Sequence, residues 1–157
     1  MSVEDFRIGA GSLAINGSDI GLTTPDGIVV NYEPNVHLHQ SGKYGTTPVK
    51  ASLIGVNLTI EVYFAETTKD NLVKALSGST SADGKVKIGG IAGTDITGAV
   101  LTLTPFDGTV SWTFRNCVPT SAVEVAYQVE NERVYQVTFT AMVDTTKPEA
   151  ENIAFAS

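Results

Sequence analysis

The chain is poor in most of the residues that would give it chemistry. It has one cysteine, Cys117, and two histidines, His37 and His39, in 157 residues. A lone cysteine cannot close an internal disulfide, which fits a reducing compartment. Cations are also few. Ten Lys+Arg stand against 17 Asp+Glu, a net charge of −7, and the longest basic cluster is Lys85 and Lys87. Phosphate contacts need clustered Lys and Arg, so this balance argues against a surface that grips nucleic acid. No apolar run approaches the roughly 20 residues of a membrane span. The start, Met1-Ser-Val-Glu-Asp-Phe-Arg, lacks the basic segment and apolar run of a signal peptide. The expectation is a soluble protein made in a cytoplasm, neither secreted nor bound to membrane. Its length suits one domain over residues 1–157, able to bury roughly 70% of its unfolded surface without metal or cross-links.

What the sequence does hold is strand and turn chemistry. Fifteen glycines and heavy use of Thr and Val favour strands over helices. In residues 57–65, Leu58, Ile60, Val62 and Phe64 alternate with Thr59, Glu61 and Tyr63, the pattern of a half-buried strand. Residues 99–115 form the clearest hairpin. Asp107-Gly108 suits a type I′ turn, whose two central residues both need positive φ. That turn sets Leu103 against Trp112, Leu101 against Phe114, Thr102 against Thr113 and Thr104 against Ser111, which separates an apolar from a polar face. A second hairpin is expected over 121–143. A three-residue loop at 130–132 pairs Val125 with Val137, Tyr127 with Tyr135 and Val123 with Phe139. It also gathers Glu124, Gln128, Gln136, Thr138 and Thr140 on one polar face. Further strands are expected at 27–33 and 85–89, with a weaker one near 13–22.

One helix is predicted, about residues 67–77. Thr67 is its cap, Asp70 completes a capping box, and Gly78 closes it. Its stripe of Leu72, Val73 and Leu76 is placed against the sheet. The expected core joins Leu72 and Leu76 to Trp112, Phe114, Leu101, Leu103, Phe139 and Val137. The fold class is therefore mostly β: an antiparallel sandwich or barrel with one short flanking helix. Two segments stand outside it. Residues 34–50 read as a long projecting loop with little periodicity, and residues 144–157 as a C-terminal arm whose Ile153 and Phe155 dock on something.

No constellation reads as an active site, a cofactor site or a metal site. His37 and His39 alternate as two ligands would, but the chain has no further His and only one Cys to complete a site. They read as structural or interface residues. Gly89-Gly90-Ile-Ala-Gly93 lacks the helix that a phosphate-binding turn requires. Cys117 reads as a small buried thiol rather than a nucleophile. Asn16-Gly17-Ser18 and Asn57-Leu58-Thr59 read as chance matches to a glycosylation sequon.

Three runs resemble the tail tube (major tail) proteins of long-tailed bacteriophages: Gly27-Ile-Val-Val-Asn-Tyr-Glu-Pro-Asn-Val-His-Leu-His-Gln, Gly45-Thr-Thr-Pro-Val-Lys and Leu53-Ile-Gly-Val-Asn-Leu-Thr-Ile-Glu-Val. The likeness lies in an order of features over about residues 20–80: strand, long loop, amphipathic strand, short capped helix. It implies a non-catalytic virion protein that needs no cofactor. Such subunits form hexameric rings, stacked into a hollow tube through which DNA and the tape-measure protein pass, with a tail terminator as a further partner. The implied location is the virion tail, after assembly in the host cytoplasm. The resemblance marks His37, His39, Tyr44, Thr46, Thr47 and Pro48 as an inter-subunit loop. Glu124, Gln128, Gln136 and Thr138 then become the expected lumen face. Acidic residues there would keep DNA off the wall by like charge. The competing readings are an immunoglobulin-like decoration or adhesion module and a small β-barrel metalloenzyme built on the two histidines.

Overall fold

A computed structural model describes residues 11–19, 23–64, 69–105, 110–124 and 135–157. Among these residues, ten antiparallel strands, one short α-helix and a 3-10 turn at Glu149–Glu151 make up the regular structure. In chain order the strands and helix are β1 (Gly11–Ile15), β2 (Ser18–Asp19), β3 (Thr23–Gln40), β4 (Pro48–Phe64), α1 (Lys69–Ala75), β5 (Thr80–Ala82), β6 (Lys85–Lys87), β7 (Ala99–Pro105), β8 (Trp112–Pro119), β9 (Tyr135–Met142) and β10 (Ala154–Ala156). One sheet runs β2-β1-β7-β8-β9-β4-β3, with β10 added on β8, while β5 and β6 pair separately. β1 and β3, from opposite ends of that path, come into contact. The sheet therefore curls into an open barrel and encloses its apolar face.

Alternation fills that interior. Leu58, Ile60, Val62 and Phe64 of β4 are buried with Leu13 and Ile15 of β1, Leu101 of β7, Phe114 and Cys117 of β8, and Tyr135, Val137 and Phe139 of β9. Phe64 and Tyr135 stack with ring centroids 5.1 Å apart. The β7–β8 register is the one expected: Leu101 opposes Phe114, Thr102 opposes Thr113 and Leu103 opposes Trp112. The Asp107-Gly108 turn lies outside the described residues. Trp112, expected in the core, is instead 38% exposed. It sits at the strand end, stacked on Phe114 at 6.0 Å, and its β10 neighbour is only Ala156. Leu103 and Ala99 pack against the core from its margin.

The register expected for 121–143 is corrected where it can be read. Phe139 opposes Pro119 on one side and Ile60 on the other, not Val123. Val137 opposes Val62 of β4. The chain leaves β8 with Thr120 N–H donating to the Thr138 carbonyl, and the Ser121 hydroxyl accepting from Thr138 N–H. Val125, Tyr127 and the 130–132 loop lie outside the described residues. The helix is shorter than expected, Lys69–Ala75, and its expected cap Thr67 is also outside them, as is the side chain of Leu72. Leu76 is half-buried. Gly78 ends the helix with φ +82°, a conformation that other residues adopt only with strain.

The C-terminal segment docks on its own chain. β10 continues the edge of β8 where β9 stops, with Ala154 opposite Phe114 and Ala156 opposite Trp112. Ser111 and Ser157 exchange both backbone bonds at 2.8 Å, and Arg115 N–H donates to the Ile153 carbonyl at 2.8 Å. The Arg115 guanidinium clasps the segment, 3.2 Å from Glu151 Oε1 and 4.5 Å from the Phe155 ring centre. Hydrogen bonds from the Thr146 hydroxyl and amide hold the Asp144 carboxyl below its usual range. Arg115→Met is expected to loosen only this clasp, by about 1–2 kcal/mol. Amide exchange at position 115 and at Ser157 should then quicken roughly tenfold, while β4 and β9 keep their protection.

Burial also sets the alkaline limit of the fold. Loss of solvation pushes the Cys117 thiol from 9.0 up to about 12 and the Tyr135 phenol from 10.0 up to about 12. The unfolded chain ionises these groups first, so it binds fewer protons than the folded chain at high pH. The stability held by these two groups is therefore fully present below about pH 9 and falls progressively between pH 9 and 12. Urea midpoints taken across that range should show the fall, and Cys117→Ala should remove its earlier part.

Candidate assembly interface

Beyond the pair Glu33–Asn57, β3 and β4 pair only with one another among the described residues. The segment expected to be an irregular loop is a two-stranded arm. Its seven-residue tip, 41–47, is the only part outside the two strands. Two prolines are accommodated without breaking it. Pro34 lies on β3, the last strand of the sheet path, and Pro48 opens β4. Edge strands and strand starts are the places where a missing N–H costs no ladder bond. At about 3.3 Å per residue, the strands carry the tip roughly 20–25 Å past the barrel.

The tip is a built turn. Tyr44 N–H donates to the Ser41 carbonyl at 3.1 Å, and Lys43 N–H to the Ser41 hydroxyl at 3.3 Å. The Gln40 side chain donates to the Thr46 carbonyl at 3.1 Å, and Thr47 N–H to the Tyr44 carbonyl. Gly45 supplies the left-handed φ of +67° that the turn needs. Tyr44, Thr46, Thr47 and Pro48 are all exposed around it, with Lys43 Nζ 5.4 Å from the Tyr44 ring centre.

The two faces of the arm differ. Directly opposed residues share a face, so Tyr32 goes with Leu58, Pro34 with Val56, Val36 with Leu53 and Leu38 with Ala51. This is the barrel's interior face carried outward past the core. With no sheet over it among the described residues, it leaves Tyr32 60%, Val36 47%, Leu38 53% and Leu53 64% exposed. A register shift between Asn35 and Val36 places Ile54 in the irregular position, where it too is exposed. The other face is polar: Glu33, Asn35, His37 and His39 from β3, and Asn57, Ser52 and Lys50 from β4. His37 and His39 meet edge to face, ring centres 4.6 Å apart, and His39 Nε2 lies 2.9 Å from the Ser52 hydroxyl. Among the described residues no third His, Cys, Asp or Glu joins them to hold a metal.

The other expected residues lie away from the arm. Gln136 is exposed on β9, and Thr138 and Thr140 are half-buried beside it. Across the ladder they meet Tyr63, Glu61 and Thr59 of β4 in that order. Glu61 thus shares the polar outer face and belongs with that set, as its place in the β4 alternation indicates. Glu124 is exposed, beyond the end of β8, and Gln128 lies outside the described residues. Sequence reasoning also misses the apolar face of the arm, although Val36-His37-Leu38-His39 alternates.

No protein-family model matches the chain, and no curated protein matches it. Solved structures do. One is a chain from an extracellular contractile injection system, the PVC sheath-tube complex in its extended state. It is 11% identical with a TM-score of 0.52, and the match covers 100% of this chain and 98% of that one. Another is from the anti-feeding prophage cap, the AFP tube terminating cap, 13% identical with a TM-score of 0.49, over 100% of this chain and 99% of that one. At this identity the first likeness establishes a shared fold.

Proposed function

We propose that this chain is a structural, non-catalytic tail protein: a subunit that assembles with copies of itself into stacked rings forming a hollow tube. The observation that carries this reading is the arm. It holds Tyr32, Val36, Leu38 and Leu53 in water on one face of a two-stranded support, and a monomer gains nothing from that exposure. Contiguous apolar surface of this kind marks a protein contact. The fold shared with a chain of a sheath-tube complex supports the same reading. So does the sequence resemblance to tail tube proteins, which supplies the hexameric ring, the tape-measure and terminator partners, and the virion tail as location.

In such a tube the polar outer face of β9 and β4 lines the lumen, with Glu61 repelling the DNA that passes. Screening reaches only about 8 Å at physiological salt, so only carboxylates on the wall itself act on the polymer. Electron microscopy of the purified protein at high concentration tests the reading. Rings or tubes with an open channel are expected; a monomer at every concentration and salt would overturn it.

A further inference from the structure

We infer that the arm is the basic half of a two-sided contact, whose other half is the acidic body of a second copy. This rests on the assembly reading and adds which chemistry meets which. Past Glu33 at the base of the arm, residues 34–56 contain Lys43, Lys50, His37 and His39 and not one Asp or Glu, in a chain with 17 of them. Removing those two lysines from the ten cations leaves eight against 17 carboxylates, so the rest of the chain carries −9. Lys43 and Lys50 are both exposed, and neither forms an ion pair among the described residues.

The arm's own body does not neutralise it. The tip stands roughly 20–25 Å from the barrel, several screening lengths at physiological salt. Its charge is therefore legible only to what it touches. Like charge on two arms disfavours an arm-to-arm contact, and a surface unlike the arm suits it better. A second copy offers that surface in its net-negative body. Such a contact is heterologous, with different patches on its two sides, and repeats into a closed ring or an open stack. The apolar face then supplies the burial, while the lysines select the orientation and speed the encounter.

The test is the pair K43E/K50E beside K43R/K50R, followed by sedimentation velocity at low and high sodium chloride. Unchanged melting temperatures show that the arm variants are folded. Wild-type association is expected to weaken at least tenfold as salt rises from about 50 to 500 mM, and K43R/K50R should follow it. K43E/K50E should not associate with itself. Mixed with wild type it should still be incorporated, because its body accepts a wild-type arm, and it should end growth and shorten the assemblies. If K43E/K50E assembles as wild type does with the same salt response, the charge inference is wrong while the assembly reading stands. If K43E/K50E is neither self-associating nor taken up by wild-type assemblies, the contact is not two-sided in this sense and the inference also fails. If wild type never associates, the assembly reading itself fails.

Discussion

Phe114→Ala is expected to lower the stability of the fold by about 3–5 kcal/mol, the range for emptying an aromatic site in a packed core. Phe114 is fully buried, between Leu101 of β7 and Ala154 of β10. A loss of that size is a large part of the roughly 5–15 kcal/mol that holds a typical domain together. Trp112→Ala, two residues away on the same face, removes a larger side chain but should cost only about 1–2 kcal/mol. Trp112 is 38% exposed and covered on one side by Ala156 alone. Urea midpoints of the two variants measured together decide the point. The larger loss must fall on Phe114; an equal or reversed order would mean that the rim closes over Trp112.

Replacing Val36, Leu38 and Leu53 with threonine is expected to abolish assembly while leaving a folded monomer. Threonine has the β-branched shape that strands favour. Val36 and Leu53 oppose one another across the ladder, and two threonines in their places would make a compatible cross-strand pair. The arm should therefore survive as a hairpin and lose only its apolar face. Buried anchors at a contact are worth about 2 kcal/mol each. Losing three, about 6 kcal/mol, should weaken association by roughly 10⁴-fold, below detection at micromolar protein. Sedimentation velocity reads the association, and the melting temperature, within a few degrees of wild type, reads the fold. An arm stripped in this way that still polymerised would leave the exposed face without a role.

The parts of this architecture legible in the sequence are those where a local turn and an alternating pattern agree. The β7–β8 register follows from Asp107-Gly108 and the facing apolar residues. The same turn logic applies at Asn16-Gly17 and Asp83-Gly84, where all four residues adopt positive φ and join β1 to β2 and β5 to β6. At Asn16 the match to a sequon masks the turn. The pairing of β9 is not legible, because its partner β4 lies more than 70 residues earlier in the chain and no turn announces it. Without β4, the 121–143 stretch looks like a hairpin closed on itself, with Val123 placed against Phe139. The arm escapes sequence reasoning for a different reason. Pro34 and Pro48 suggest a loop, although both sit where a strand tolerates proline. Its apolar alternation points at no core, since nothing among the described residues covers it.

A three-dimensional reconstruction of the assembled particle by electron cryomicroscopy tests the central claim most directly. The account predicts a tube in which Val36, Leu38 and Leu53 of each arm are buried against the body of a neighbouring copy. Lys43 at the tip and Lys50 on the arm's polar face should meet carboxylates of neighbouring copies, and Glu61 should lie on the channel wall. Particles whose arms stand free in solvent, their apolar faces touching no other subunit, would contradict it.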